Sequence, residues 1–284
     1  MGKHFLIYTN KYKDPKLEVT EKIRRYLTDR GQTTSLWIKE KDWKEEKEQQ
    51  RELPENVDCM LVLGGDGTVL QAVRELNGLH IPLIGVNLGT LGFITQIEPS
   101  GIEAALDRLI EGSYRQESRM MLQGTVSYAD GRQEFGKALN DIVISRSGAL
   151  RVISLRIYVN GLFLHEYQAD GIILTTPTGS TGYNLSAGGP LVEPGAKMIM
   201  LTPICPHTLN QRSIILSADD EIEIEIPPGR ENKPQTLDAN YDGVSFSQLT
   251  TGDRIKIKKS DECAEFIQLS RVSFLEILHQ KMNE

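Results

Sequence analysis

The chain has 284 residues, enough for two domains of ordinary size, and its 39% of hydrophobic and 25% of charged residues are typical of a soluble globular protein. A formal net charge of −7 disfavours general binding to nucleic acid or to an anionic membrane, because such binding needs a basic face. No apolar run approaches the roughly 20 residues that a membrane-spanning helix requires.

The cysteines and the N-terminus indicate the cellular compartment. Cys59, Cys205 and Cys263 are far apart and lack metal-type or redox-type spacing, so we expect reduced thiols in or near a core. The five histidines are also scattered, and a zinc site of His and Cys is not expected. The first apolar stretch is too short for a signal peptide and predicts a strand. We therefore expect a cytoplasmic protein.

The first third of the chain alternates strand patterns with helix patterns. Strands are predicted at residues 5–9, 33–38, 60–63 and 82–86, and helices at 17–30 and 68–76. Such alternation implies a parallel sheet with helices on its faces, and ligands bind such sheets at the carboxyl ends of the strands. The mixed-charge segment 39–56 predicts a solvated helix or loop, with a lid as the alternative.

A glycine-rich turn follows the third predicted strand and consists of Gly64, Gly65, Asp66, Gly67 and Thr68. Glycines allow close approach to a phosphate chain, and the helix that follows offers N–H groups and a positive dipole end. A carboxylate beside phosphate has two useful roles, to take a proton from an attacking hydroxyl or to hold Mg²⁺. The alternative is a tight turn in which Asp66 bonds its own backbone.

From about residue 121 the pattern changes to short strands and turns. Asp130-Gly131 and Asn160-Gly161 are hairpin signals, and residues 221–226 and 254–258 alternate as half-buried strands do. This region is predicted to be mostly antiparallel β. A terminal helix is predicted at 273–281. We expect an α/β domain at 1–120, to which residues 271–284 return, and a β-rich domain at 121–270.

A block rich in hydroxyl groups and glycine spans residues 175–190 and follows Asp170-Gly171. Backbone N–H groups and hydroxyls there suit a polar ligand, and Tyr183 can stack or hydrogen-bond. The alternative is an ordinary Ser/Thr-rich loop that caps a helix.

Asn140 and Asp141 interrupt an apolar strand predicted at 138–144. Buried polar groups without partners are costly, so we expect both to face a cleft or a ligand. A second glycine-rich turn, residues 85–93, is interpreted as another wall of the same site or as tight packing.

Taken together, these motifs resemble the NAD kinase family. The matching segments are 64–68, 87–93, 140–141, 170–183 and 202–207, with Asn210 and Arg212. The resemblance implies an α/β N-terminal domain with a parallel sheet, a β-rich C-terminal domain and NAD in the cleft between them. It also implies ATP or polyphosphate as phosphoryl donor, a divalent metal such as Mg²⁺, and self-association, usually as a homotetramer.

On this resemblance the candidate catalytic residue is Asp66. The candidate binding residues are Gly64, Gly65, Asp66, Gly67, Thr68, Asn140, Asp141, Arg151, Gln168, Asp170, Ser180, Thr181, Gly182, Tyr183, Ser186 and Cys205. No side chain is assigned to the metal. Gly182, Gln168 and Val244 depart from residues common in the family, and Gln168 weakens the case for a cationic phosphate contact at its position.

Two alternatives remain beside NAD kinase activity. A diacylglycerol-type lipid kinase shares the glycine turn, but here Gly89-Thr90 continues into Leu91-Gly92-Phe93 and the chain is acidic. A non-catalytic dinucleotide sensor has little use for a carboxylate beside phosphates. The favoured mechanism is attack of the 2′-hydroxyl of the adenosine ribose of NAD on the terminal phosphate of the donor, with Asp66 as general base.

Overall fold

The computed structural model describes residues 2–40, 53–89, 92–148, 151–208, 212–269 and 274–282. Most of the mixed-charge segment, residues 41–52, therefore lies outside the described residues. The chain divides into two compact units, the first Met1–Ser118 with Ala264–Glu284 and the second Arg119–Cys263. Among the described residues, no helix is both long and apolar enough to cross a membrane.

The strands, in chain order, are β1 His4–Asn10, β2 Thr33–Lys39, β3 Cys59–Gly64, β4 Leu83–Asn87, β5 Thr95–Ile97, β6 Arg115–Ser127, β7 Gln133–Ala138, β8 Asp141–Arg146, β9 Ile153–Val159, β10 Leu162–Ala169, β11 Gly171–Thr175, β12 Met198–Ile204, β13 Ile214–Ser217, β14 Ile222–Glu225, β15 Thr236–Tyr241, β16 Val244–Thr250 and β17 Arg254–Gln268. The α-helices are α1 Glu18–Asp29, α2 Asp66–Leu76, α3 Ile102–Glu111, α4 Tyr183–Ser186 and α5 Phe274–Met282. Three short 3₁₀ helices lie at Pro99–Gly101, Thr178–Thr181 and Arg230–Asn232.

The first unit contains the predicted parallel sheet. Its strand order is β5-β4-β3-β1-β2, and every pair is parallel. All six residues of β3 are buried, as expected for a central strand covered on both faces. Ile23 and Leu27 of α1 belong to the core of this unit, together with Phe5, Leu61 and Ile84. The predicted alternation of strands and helices is confirmed.

Helix α2 begins two residues earlier than predicted. The extended backbone of Gly65 forms its N-cap, and the Gly65 carbonyl accepts hydrogen bonds from the N–H groups of Thr68 at 2.9 Å and Val69 at 3.2 Å. Asp66 is therefore the first residue of the helix. A carboxylate in the first turn is favoured by the positive end of the helix dipole.

The second unit is the predicted β-rich region. One antiparallel sheet has the order β13-β12-β11-β8-β15-β16, and β10, β9, β14 and the first part of β17 pair in that order. The predicted Asn160-Gly161 hairpin is confirmed, with positive φ angles of 51° and 78° between the paired residues Val159 and Leu162. Branched side chains from both sets of strands form one large core.

The strand predicted at 138–144 is confirmed from Asp141 onward, where β8 begins, but it is interrupted at residues 139 and 140, between β7 and β8. Leu139 and Asn140 belong to neither strand. Their backbone N–H groups donate to the side chain of Asp242 instead of to a neighbouring strand. Asp242-Gly243 forms the two-residue turn between β15 and β16, with positive φ angles of 48° and 75°.

Candidate active site

The glycine turn in the first unit lies where β3 meets α2. A side-chain carbon on Gly64 would come within 2.3 Å of Oγ1 of Thr68, so only glycine fits there. Thr68 is buried and accepts a 3.4 Å hydrogen bond from the amide of Asn10, at the end of β1. The turn is thus held against the carboxyl end of a neighbouring strand.

Asp66 does not bond its own turn, as the simpler interpretation would require. Its Oδ2 accepts a hydrogen bond from the N–H of Phe93 at 2.8 Å, and its Oδ1 accepts from Ile94 and Thr95, each at 3.2 Å. A carboxylate has about four lone-pair sites, so these three bonds leave one site. The side chain is half-buried, and its position is fixed by three consecutive backbone amides.

Gly92 makes this arrangement possible. A side-chain carbon on Gly92 would lie 1.9 Å from Oδ1 of Asp66, well inside van der Waals contact. The glycine-rich segment 85–93 was interpreted as a second wall or as tight packing. In the structure, the backbone N–H groups of Phe93, Ile94 and Thr95 hold the Asp66 carboxylate. Gly85 packs closely against Thr95. Thr90 and Leu91 lie outside the described residues.

In the second unit Asp242 positions the Asn140-Asp141 pair. One oxygen of the Asp242 carboxylate accepts from the N–H groups of Asn140 at 2.7 Å and Asp141 at 3.2 Å, and the other accepts from Leu139 at 2.9 Å. The Asp141 carbonyl accepts in return from the Asp242 N–H at 3.0 Å. Sequence analysis missed this role because an Asp-Gly pair signals only a turn.

The hydroxyl-rich block packs directly on Asn140. The Asn140 carbonyl accepts hydrogen bonds from the N–H of Thr176 and the hydroxyl of Thr175, both at 2.9 Å. A side-chain carbon on Gly179 would lie 2.4 Å from the same carbonyl oxygen. Gly182 is also close, because a carbon built there would lie 3.6 Å from the Asn140 amide nitrogen.

Two polar atoms in this cluster are buried and find no hydrogen-bond partner among the described residues. They are Oδ1 of Asn140 and Oγ1 of Thr178. An unsatisfied buried polar atom costs about 1–3 kcal/mol, and such atoms in a folded protein call for an explanation. A ligand that donates a hydrogen bond to Asn140 would provide one.

Asp141 is buried next to the Asp242 carboxylate. Burial, and to a smaller extent the negative charge of Asp242, raises the pKa of Asp141 from its ordinary 3.8 to about 7. Near neutral pH this carboxyl therefore exists in both protonation states. It can donate a hydrogen bond as well as accept one.

Other residues of the block support the fold. The hydroxyl of Ser180 donates to the Val192 carbonyl at 3.0 Å and accepts from the Val192 N–H at 3.1 Å. Asn184 is fully buried and bonds Pro190 and Thr202. The Thr181 hydroxyl lies 3.5 Å from the Thr178 carbonyl. These side chains bond within the block and to nearby backbone, and neither the 3₁₀ helix at Thr178–Thr181 nor α4 has a side-chain cap.

Tyr183 lies in an acidic neighbourhood and is 46% exposed. Partial burial raises its pKa, and negative charge at Cys205, Asp170 and Asp141 adds to the effect. The carboxylate of Asp170 also lies 3.2 Å from Nε of Arg146.

The remaining candidate binding residues have no described side-chain contact with the Asn140-Asp141 pair. Gln168, Arg151 and Ser186 are exposed, and the described structure links none of their side chains to Asn140 or Asp141. The expectation of core or near-core cysteines is wrong for Cys205, which is exposed with a positive φ of 43°. Cys59 is buried, and burial raises its pKa to about 12.

The close approach of Gly92 to Asp66 predicts the effect of a single methyl group. Gly92→Ala should destabilise the first unit by roughly 1–3 kcal/mol, because the methyl group displaces the carboxylate or the loop. The free energy of unfolding by urea titration measures this. Gly101→Ala is the matched control, since a carbon there meets nothing within 4 Å. Equal stability of the two variants would contradict the close approach.

The raised pKa of Asp141 predicts a pH dependence of stability. Between pH 4 and 7 the folded chain keeps a proton that the unfolded chain releases, so this contribution is full below the ordinary pKa of 3.8 and is lost as pH rises through about 7. Relative to Asp141→Asn, the wild-type chain should lose up to about 1.4 kcal/mol per pH unit in that window. Urea titrations from pH 4.5 to 8 measure the difference, with exposed Asp261→Asn as control. A difference that does not change with pH would contradict the assignment.

Comparison with known proteins identifies the family of the chain. Residues 6–114 match the family described as the ATP-NAD kinase N-terminal domain, and residues 139–269 match the ATP-NAD kinase C-terminal domain. An NAD kinase of Lachnospira eligens is 46% identical to this chain, and the match covers 99% of this chain and 100% of the relative. One of Agathobacter rectalis is 45% identical and covers 99% and 98%.

Solved structures share the fold. Yeast NADH kinase complexed with NADH superimposes with a TM-score of 0.83 at 23% identity, over 99% of this chain and 88% of its own. An NAD kinase from Archaeoglobus fulgidus in complex with ATP gives a TM-score of 0.77 at 24% identity, over 99% of both chains. The two family domains in sequence, and relatives of this identity over the whole length, establish that the chain belongs to the NAD kinase family.

Proposed function

We propose that this NAD kinase transfers the terminal phosphate of ATP to the 2′-hydroxyl of the adenosine ribose of NAD, and that Asp66 is the general base. The observation that carries the proposal is the fixed carboxylate at the junction of β3 and α2. The ligands named in the two structural neighbours, NADH and ATP, support the choice of substrates.

Asp66 has the geometry of a preorganised base. Its three hydrogen bonds to backbone amides fix both oxygens, so little reorganisation is needed when the hydroxyl arrives. The one remaining lone-pair site can accept the proton of the ribose hydroxyl. Catalysis of phosphoryl transfer mainly requires that the protein position the reactants, neutralise the phosphate charge and remove this proton.

The glycine turn is the natural place for the donor phosphates. Gly65 and Gly67 leave open space above the backbone, since a carbon built on either meets nothing within 4 Å. The N-terminus of α2 presents N–H groups and the positive end of its dipole there. Donor phosphates would therefore approach the backbone beside Asp66.

The second unit supplies groups suited to adenosine. The unpaired Oδ1 of Asn140 can accept a hydrogen bond from the adenine amino group, while the amide nitrogen can donate to a ring nitrogen. Asp141 can exchange hydrogen bonds with ribose hydroxyls in either protonation state. Tyr183 is exposed enough to stack on a ring.

Mg²⁺ fits this chemistry as a companion of the donor. The single site left on Asp66 can serve either the ribose hydroxyl or a metal-bound water, so it does not make a dedicated metal site. Mg²⁺ usually keeps several waters and is held largely by substrate phosphates. It would supply neutralisation of phosphate charge.

We further propose a cytoplasmic homotetramer. Family resemblance and the dispersed cysteines support this assignment, and the second unit is the expected source of the subunit contacts. Sedimentation at assay concentrations measures the number of subunits, and a fully active monomer would contradict the proposal.

The first test of function is removal of the base. The wild-type chain should form NADP from NAD and ATP in a coupled assay, and Asp66→Asn should lower kcat by about 10²–10⁴-fold, because an amide cannot accept the proton. NAD affinity by calorimetry should change little. Asp29→Asn, an exposed helix position, is the control for loss of one negative charge. Near-normal turnover of Asp66→Asn would remove Asp66 from the role of base.

The second test addresses the adenosine groups. Asn140→Ala and Tyr183→Ala should weaken NAD binding by roughly 10–100-fold, the equivalent of one or two good polar contacts. Binding of a non-hydrolysable ATP analogue should be nearly unchanged, which is the internal control. If calorimetry found unchanged NAD affinity in folded variants, Asn140 and Tyr183 would be scaffold residues.

A further inference from the structure

A lysine outside every motif considered so far reaches Gly89, in the second glycine-rich segment of the first unit. Nζ of Lys13 lies 3.8 Å from the position of a side-chain carbon built on Gly89. Lys13 follows β1, whereas Gly89 follows β4. In the sheet, β3 lies between β4 and β1, and the glycine turn continues directly from its end. The Lys13 side chain therefore lies at the same edge of the sheet as the turn 64–68, whose strand is placed between β1 and β4.

The backbone of Lys13 is fixed on both sides. The carbonyl of Asn10 accepts hydrogen bonds from the N–H groups of Lys13 at 2.9 Å and Asp14 at 3.1 Å. The buried carboxylate of Asp14 accepts in turn from the N–H and the hydroxyl of Thr20 in α1, at 2.8 and 2.7 Å. The turn after β1 is thereby tied to the first helix, and the lysine side chain projects from a rigid base.

The charge of Lys13 is uncompensated within the described part of the chain, where no carboxylate lies within ion-pair distance of it. Its neighbours differ: Lys11 pairs with Glu40 at 2.9 Å, and Lys16 lies 3.8 Å from Glu18. A lysine ammonium is a compact point charge that binds phosphate well. An unpaired ammonium beside Gly89, at the sheet edge where the donor phosphates are proposed to bind, is suited to receive an anion.

We propose that Lys13 binds the polyphosphate chain of the phosphoryl donor. The proposal rests on the donor phosphates lying at the glycine turn, as in the proposed function. Within the first unit, the described residues show no contact between Lys13 and Asp66, so we assign Lys13 the role of positioning the donor. Because it would recognise phosphate rather than base, the same lysine would serve ATP, other nucleoside triphosphates and inorganic polyphosphate.

Steady-state kinetics of Lys13→Met test the proposal. The KM for ATP at saturating NAD should rise about 10–100-fold, the loss typical of one charge-assisted hydrogen bond. The KM for NAD at saturating ATP should stay within about twofold of wild type by the same reasoning. Lys13→Arg should recover much of the ATP affinity, since it keeps the charge.

The matched controls are Lys11→Met and Lys16→Met, which remove one positive charge from the same exposed turn. Both should leave the KM for ATP near the wild-type value, because their charges already face carboxylates. Calorimetry with a non-hydrolysable ATP analogue gives a second readout that does not depend on turnover. Wild-type NADP formation tests the proposed function separately from this comparison.

Three outcomes would overturn the assignment. Equal ATP affinity in Lys13→Met and Lys11→Met would show that Lys13 does not contact the donor. A rise in the KM for NAD alone would assign the lysine to the diphosphate of NAD. Weak binding of ATP but normal use of polyphosphate would show that Lys13 reads the nucleoside rather than the phosphates.

Discussion

The site in the first unit depends on the hydrogen bonds between the Asp66 carboxylate and three consecutive backbone amides. They fix a negative charge at the start of α2 and leave it one free lone-pair site. The arrangement needs β5 beside β4 and β4 beside β3, which brings residues 93–95 to the end of β3. It also needs glycine at 92, because any side chain there would occupy the space of the carboxylate.

The second unit contains the same kind of interaction, a carboxylate bound by consecutive backbone amides, but there it positions other residues. The carboxylate of Asp242 also accepts from three consecutive backbone amides, those of residues 139–141. Here the Asp242 carboxylate takes the place of a neighbouring strand as hydrogen-bond acceptor. The strand is therefore interrupted, and Asn140 lies outside the sheet. Burial raises the pKa of Asp141, and the negative charge of Asp242 adds to the effect. One carboxylate thus positions an amide and adjusts the protonation of its neighbour.

The sequence predicts those features of the fold and site that depend on residues adjacent in the chain. A buried strand followed by glycines and a helix, and a two-residue Asn-Gly hairpin, are determined by neighbouring residues, and both are found. The approach of Gly92 to Asp66 and the bonds from Asp242 to 139–141 join distant segments, which one sequence does not reveal. The break at Leu139-Asn140 was therefore interpreted as a continuous strand. Ser180 stays a predicted ligand contact, and the bonds between its hydroxyl and Val192 also join segments that one sequence does not connect.

Charge balance explains why the glycine turn needs more than a helix end. A phosphate about 4 Å from the Asp66 carboxylate would be repelled by roughly 4 kcal/mol per unit charge at an effective dielectric constant near 20. The dipole of α2 typically contributes only about 0.3–1 kcal/mol. The helix end can orient a phosphate but cannot offset that repulsion. A base beside phosphates therefore requires cations, and a metal carried by the donor and the proposed Lys13 contact would each supply positive charge there.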